Sequence, residues 1–113
     1  MSDCIFCRIA AGDIPAEVVA QDDDFVAFAD LHPLGPVHVL IVPRRHVASM
    51  AELGELPSEV VAGLLPFAAR VAREAGVEES GYRLLTNTGP DAGQEVLHLH
   101  WHVIGGRPLG GMA

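Results

Sequence analysis

The chain has 113 residues, half of them apolar, which suffices for one small core but a thin one for a lone subunit. A single domain over 1–113 that self-associates is therefore the expectation. Fifteen acidic against seven basic residues give a formal charge of −8, the wrong sign for sequence-independent binding to a phosphate backbone. This excludes duplex nucleic acid as a partner while leaving room for one small nucleotide in a buried site. The opening MSDCIFCRIAAGD carries Asp3 and lacks the apolar centre of a secretory signal, and no run of about 18 apolar residues exists to span a membrane, so the reading is a soluble cytoplasmic protein with no membrane partner.

In chain order, Cys4 and Cys7 come first. They are too few and too close for a disulfide scaffold, and a cytosolic CxxC points to metal or redox chemistry. A thioredoxin-like motif needs a preceding strand, whereas Cys4 has only three residues before it. Val18 to Ala20 is a weak strand candidate. FVAFAD (Phe25 to Asp30) and VHVLIV (Val37 to Val42) read as two adjacent antiparallel strands joined by the turn-rich LHPLGP, with Pro43 ending the second. Ser49 and Glu52 form a candidate capping box for a short helix near Ala48 to Leu53. From Ser58 to Ala75, apolar residues recur at three-to-four spacing, which predicts an amphipathic helix stopped by Gly76 and kinked at Pro66. YRLLTN (Tyr82 to Asn87) is a third strand, TGPDAGQE a loop, and LHLHWHVI (Leu97 to Ile104) a fourth strand halted by Gly105 and Gly106. Strands outnumber helices and reconnect through short loops, so the class is α+β with a mostly antiparallel sheet.

HLHWH places His98, His100 and His102 at every second position. On an extended strand their rings share one face, while Leu99, Trp101 and Val103 take the other toward the core. At the usual rise per residue His98 and His102 are about 13 Å apart, too far for all three to ligate one metal, whose bonds are only about 2.0 to 2.3 Å long. A solvated polar face is the bland alternative. A row of imidazoles along an extended ligand suits a phosphate ester or anhydride better. One ring can attack phosphorus while a neighbour neutralises a non-bridging oxygen, and no metal is required for that step. The loop Asn87 to Val96, with Gly89 and Gly93, leads directly into this segment and can bring backbone N–H groups to an anion. His38 alternates with Val37 and Val39, where a lone histidine is by default a satisfied core residue.

HLHWHVI, together with CIFCRI, DIPAEVV, DDFVAFADLHPLGPVHVLIVPRRH, GYRLLTN and GQEVLHLHWHVIGGRPLG, resembles the histidine triad (HIT) family, specifically its Hint-like branch of nucleotide hydrolases and transferases. The resemblance implies a five-stranded antiparallel sheet with one long and one short helix, extended to ten strands across a homodimer. It implies hydrolysis of purine nucleoside phosphoramidates and related nucleotidyl conjugates through a nucleotidyl-histidine on His100. His102 and His38 would hydrogen-bond phosphate and leaving group, and the carbonyl of His98 would orient His100. Asp30 would accept from the ribose hydroxyls, with a strand-ending turn acid as its alternative. Ile5, Phe6, Ile9, Phe28, Leu31 and Leu40 would enclose the purine, and Asn87, Gly93, Gln94, Glu95 and Val96 would line the phosphate side. Glu95 departs from the serine that many Hint-like members carry, which bears on the leaving group. The tail through Gly110, Gly111, Met112 and Ala113 lacks the aromatic residue that some relatives reach into the partner's site. Cys4, Cys7, His46 and His98 match the structural zinc set of some bacterial-type relatives. Alternatives are a dinucleoside polyphosphate hydrolase or nucleotidylyl transferase of the same family, and a non-catalytic nucleotide- or zinc-binding adaptor.

Overall fold

A computed structural model describes residues 3–111; Met112 and Ala113 of the aromatic-free tail lie outside that span. Helix α1 (Ile5–Ala10) is followed by β1 (Val18–Gln21), β2 (Phe25–Ala29), β3 (Val37–Pro43), a 3-10 helix (Met50–Glu55), α2 (Ser58–Glu74), β4 (Tyr82–Leu85), a 3-10 turn (Pro90–Ala92) and β5 (Trp101–Gly105). The five strands make one antiparallel sheet in the order β1-β2-β3-β5-β4, the α+β class expected. No described helix is long and apolar enough to cross a membrane.

The sheet is covered on both faces at its centre, which is why β2 and β3 read as continuous apolar runs rather than alternating ones. On one face Phe25, Ala27, Val39, Ile41, Trp101 and Val103 meet the apolar stripe Leu64, Phe67, Ala68, Val71 and Ala72 of α2, where Phe25 stacks on Phe67 with centroids 5.4 Å apart. Helix α2 runs through Pro66, which is exposed together with Ala62. Water can therefore serve the carbonyl whose helical donor the proline removes. On the opposite face Val26, Phe28, Leu40 and Val42 form a second, smaller cluster closed by Phe6 of α1. The register places Leu40 opposite His102 and His38 opposite Ile104, so the two histidines are diagonal neighbours on this second face.

Several local expectations change. LHLHWHVI is not one strand: β5 begins at Trp101, and the chain bends over 96–98. Continuing the ladder would set Leu99 against Pro43, which has no N–H, and Leu99 instead donates to the carbonyl of Val47 at 2.7 Å. The imidazoles are therefore not a flat row of three. Strand β4 ends at Leu85, two residues early, because Thr86 turns its hydroxyl onto the His100 carbonyl at 2.6 Å. The short helix is 3-10 rather than α and starts two residues late. Its cap is shifted by one, with Ser49 Oγ accepting from Ala51 and the Glu52 carboxylate accepting from Ala48. Helix α1 has no counterpart among the expected elements. At the end of β5, Gly106 adopts φ +90° where a side chain would meet Pro36 at 2.8 Å, so the β5 exit packs directly on the β2–β3 turn.

Candidate active site

Cys4 caps α1, its Sγ accepting from the Cys7 backbone N–H, so the CxxC spacing sets both sulfurs at the same helix end. The bend over 96–98 carries the fully buried His98 into this corner, and the turn after β3 brings His46. His98 Nε2–H donates to the Pro43 carbonyl at 2.9 Å, which leaves the Nδ1 lone pair facing Cys4 Sγ at 3.3 Å, Cys7 Sγ at 3.4 Å and His46 Nδ1 at 3.1 Å. Cys7 Sγ lies 3.3 Å from His46 Nδ1. Burial holds His98 down to about 4, hence neutral and able to ligate. Zinc–sulfur and zinc–nitrogen bonds of about 2.3 and 2.0 to 2.1 Å predict tetrahedral edges of roughly 3.3 to 3.8 Å. The four atoms nearly reproduce that figure, all lying within 4.8 Å of one another. These four residues fit a Zn(II) ion, and four protein ligands leave no coordination position for substrate.

Beside this corner the hydrogen-bond network assigns each histidine a tautomer. Leu34 N–H donates to His38 Nδ1 at 3.0 Å, so His38 carries its proton on Nε2. That proton is directed at His102 Nδ1, 2.8 Å away, which places the remaining proton of His102 on Nε2. His102 Nε2 is buried and is the side-chain polar atom without a partner among the described residues. It is an N–H donor waiting for an acceptor. His100 Nδ1–H donates to the His98 carbonyl at 2.7 Å, which puts the lone pair of the neutral tautomer on Nε2. The His100 and His102 rings lie 5.1 Å apart, and Phe6 sits edge-on to His100 and His98 at 5.0 and 6.0 Å. Burial pushes His102 down to about 4, reinforced by His100 and His38 and opposed by Asp30. Burial also lowers His38, again opposed by Asp30. Asp30, His38 and His102 are close enough to suggest a second metal triad. A metal on His38 Nε2 would require a proton on Nδ1, which would then confront the Leu34 N–H, so the tautomers favour hydrogen bonds there.

These rings open into a cavity of about 700 Å³, of the size of small-molecule sites. It is lined by Ile5, Phe6, Ile9, Phe28, Asp30, Leu31 and Leu40, by Asn87, Gly93, Gln94, Glu95 and Val96, and by His38, His100 and His102. The structure thus gathers every residue expected on the base, ribose and phosphate sides, while His98 faces the cysteines instead. Asp30 Oδ1 accepts from the His32 N–H at 2.9 Å, the turn role of such an acid, and Oδ2 lies 3.4 Å from His38 Nε2. Gln94 clamps the loop: Gly89 N–H donates to its Oε1, and its Nε2 donates to the carbonyls of Ala48 and Val96. Ile14, Pro15, Ala16, Glu17, Ala29, His32 and Leu34 also line the cavity and were not assigned from sequence, although DIPAEVV was part of the resemblance. No lysine or arginine lines it, and the chain contains no lysine at all.

A fold that brings His100, with its Nδ1–H bound to a backbone carbonyl, and an unpaired imidazole donor to one open cavity defines a small-molecule site built on histidine chemistry. A family model described as HIT domain matches residues 11–109, and the chain belongs to that family. It is 39% identical over 110 residues to the purine nucleoside phosphoramidase of Escherichia coli K12, covering 97% of this chain and 92% of that protein. Among solved structures, the HIT family hydrolase from Legionella pneumophila Philadelphia 1 is 43% identical with a TM-score of 0.87, covering 96% of this chain and all of that one. The HIT family hydrolase from Clostridium thermocellum is 38% identical with a TM-score of 0.91, covering 99% and 97%.

Proposed function

We propose that the chain is a Hint-like nucleotide hydrolase that cleaves purine nucleoside monophosphate conjugates, nucleoside phosphoramidates above all, through a covalent nucleotidyl-His100. The observation that carries this reading is the pairing of His100 Nδ1–H with the His98 carbonyl, which leaves Nε2 as the atom for attack in the neutral tautomer, beside the partnerless Nε2–H of His102. The purine nucleoside phosphoramidase activity for which the Escherichia coli relative is named supports it.

In the first step the His100 Nε2 lone pair bonds to the α-phosphorus and the P–N bond breaks, its electron pair staying on nitrogen. That nitrogen takes a proton from solvent at the open mouth and departs as an amine. His102 Nε2–H donates to a non-bridging oxygen, and His38 holds His102 in the tautomer that can do so. In the second step a water oxygen attacks phosphorus, the P–Nε2 bond breaks, and the nucleoside monophosphate leaves with the water's hydroxyl while a proton returns to solvent. Asp30 retains lone pairs for the ribose hydroxyls. Zinc on Cys4, Cys7, His46 and His98 would be structural, fixing α1 and the His98 backbone without touching substrate. The homodimer of the family, in the cytoplasm, is part of the same proposal.

The test is incubation with adenosine 5′-phosphoramidate, following AMP release and, by rapid acid-free quench, an adenylyl adduct by mass spectrometry. Turnover and an adduct lost in His100→Ala are expected. Because the chain has no lysine, a lysine phosphoramidate cannot be mistaken for the histidine adduct. Tight nucleotide binding with neither AMP release nor adduct would favour the adaptor reading, and turnover restricted to dinucleoside polyphosphates would move the chain to that class.

A further inference from the structure

The cavity carries, beside its histidines, a charge that the proposed reaction itself does not require. Glu95 lines it together with His100 and His102, on the loop that leads directly into His100. The backbone on either side of Glu95 is held, by the three hydrogen bonds of Gln94 before it and by the packing of Val96 against the buried cluster that Phe6 closes after it. Gly93, at φ +77°, makes the turn that brings this short segment round. The Glu95 carboxylate is exposed to the cavity mouth, and among the described residues nothing pairs with it. Asp30, by contrast, is engaged by the His32 N–H and faces His38. With no arginine or lysine along the lining, nothing nearby neutralises Glu95.

We propose that Glu95 is a specificity-determining residue that favours nucleotidyl amines whose departing group carries positive charge, and disfavours anionic leaving groups. The inference rests on the proposed hydrolase function. Protonation of the bridging nitrogen while it is still bonded to phosphorus puts positive charge on the departing group until the P–N bond breaks and it leaves as a neutral amine, whereas a phosphoanhydride or carboxylated leaving group presents negative charge to the same carboxylate. An unpaired carboxylate carried on a held backbone at the mouth therefore acts with opposite sign on the two classes. A second cation on the leaving amine, such as a distal ammonium, adds to the attraction.

The experiment uses three adenosine 5′-phosphoramidates on a common short alkyl chain that ends in an ammonium, a methyl or a carboxylate group. The parent protein is expected to show kcat/KM in that order, the extremes differing on the order of tenfold at low salt. Glu95→Gln should bring the extremes within about twofold, Glu95→Arg should reverse them, and Glu95→Asp should keep the original order. High salt should compress the parent's ratio. An unchanged ratio in Glu95→Gln and Glu95→Arg, with all three substrates still cleaved and both variants melting like the parent, overturns the role of Glu95 and leaves the hydrolase intact. Cleavage of none of the three by the parent protein removes the proposed function itself.

Discussion

Phe6 is the side chain on which the Cys4, Cys7, His46 and His98 corner, the proposed base pocket and the proposed nucleophile His100 converge, so its truncation tests whether α1 is an integral part of the site. The ring is 7% exposed, packs edge-on against Phe28 at 5.6 Å, His100 at 5.0 Å and His98 at 6.0 Å, and closes a cluster of only four other buried residues. Phe→Ala in a core costs about 3 to 5 kcal/mol. The lower end applies here because one side of the ring borders the open cavity, where water fills part of the space left. At about 2.1 cal/mol/K of unfolding entropy per residue, 3 kcal/mol lowers the melting temperature of a chain this long by about 12 °C. Phe6→Leu, which keeps most of the volume, should lose no more than about 1.5 kcal/mol. Calorimetry in zinc-containing buffer gives the melting temperature, and steady-state kinetics on a nucleoside phosphoramidate give KM. The expected result for Phe6→Ala is a fall near 12 °C with KM raised more than kcat is lowered, since His100 keeps its bond to the His98 carbonyl. A melting temperature within 3 °C of the parent with KM unchanged would show that α1 contributes neither stability nor pocket, and would refute the reasoning.

Cys4→Ser with Cys7→Ser should abolish stoichiometric zinc by elemental analysis, lower the melting temperature and raise KM, yet leave measurable turnover; parent protein purified without chelator and free of zinc would eliminate the metal site. Asp30→Ala should weaken ribonucleotide substrates at least tenfold more than their 2′,3′-dideoxy counterparts, because only the former lose buried hydrogen bonds; equal losses would return Asp30 to the status of a turn acid. The folded His102 pKa of about 4 lies below the ordinary 6.5, so the unfolded chain binds more protons between these values. The stabilisation is then complete above pH 6.5 and is lost as pH falls toward 4, amounting to on the order of 1 to 3 kcal/mol once partial solvent exposure is allowed for. Imidazole carbon shifts should show His102 neutral, protonated on Nε2, down to about pH 5, and a ring titrating near 6.5 would contradict the relay.

What the sequence discloses follows from how local its causes are. Strands β2 and β3 and helix α2 are written in apolar runs, turn residues and three-to-four periodicity, and they fall within a residue or two of their expected bounds. Helix α1 is six residues long, too short for periodicity to register, and its capping residue is a cysteine rather than a serine or aspartate. What holds it is distant: the burial of Phe6 and the Arg44 guanidinium donating to the Ala10 carbonyl at 2.8 Å. The bend before β5 is hidden for the same reason. HLHWH alternates as a strand would, and only the bond from Leu99 N–H to Val47, across the fold, breaks the ladder. Histidine spacing thus reveals that the rings belong together but not that they serve two separate corners. The tautomer of His38 depends on a backbone N–H at Leu34, a group present at every non-proline position and therefore invisible as a motif.

The two sides of His100 are held by different means. Before it, the His98 carbonyl fixes the Nδ1 proton, and the His98 ring faces the two cysteines and His46, so orientation of the His100 ring depends on that four-residue corner through one peptide unit. After it, His102 sits in regular antiparallel register between Leu40 and Leu85, and its proton is placed by His38 from the neighbouring strand. The His102 donor proposed to meet the phosphate oxygen therefore depends on the sheet and not on the cysteine corner. Under the proposed mechanism, removal of a zinc ion from that corner should disturb aim and base packing while leaving the proposed donor to the phosphate oxygen in place, which makes a graded loss of turnover the expected consequence. Disruption of the β3–β5 ladder, in contrast, would remove His38 and His102 from register together, and with them the means of stabilising the charge that develops on phosphate.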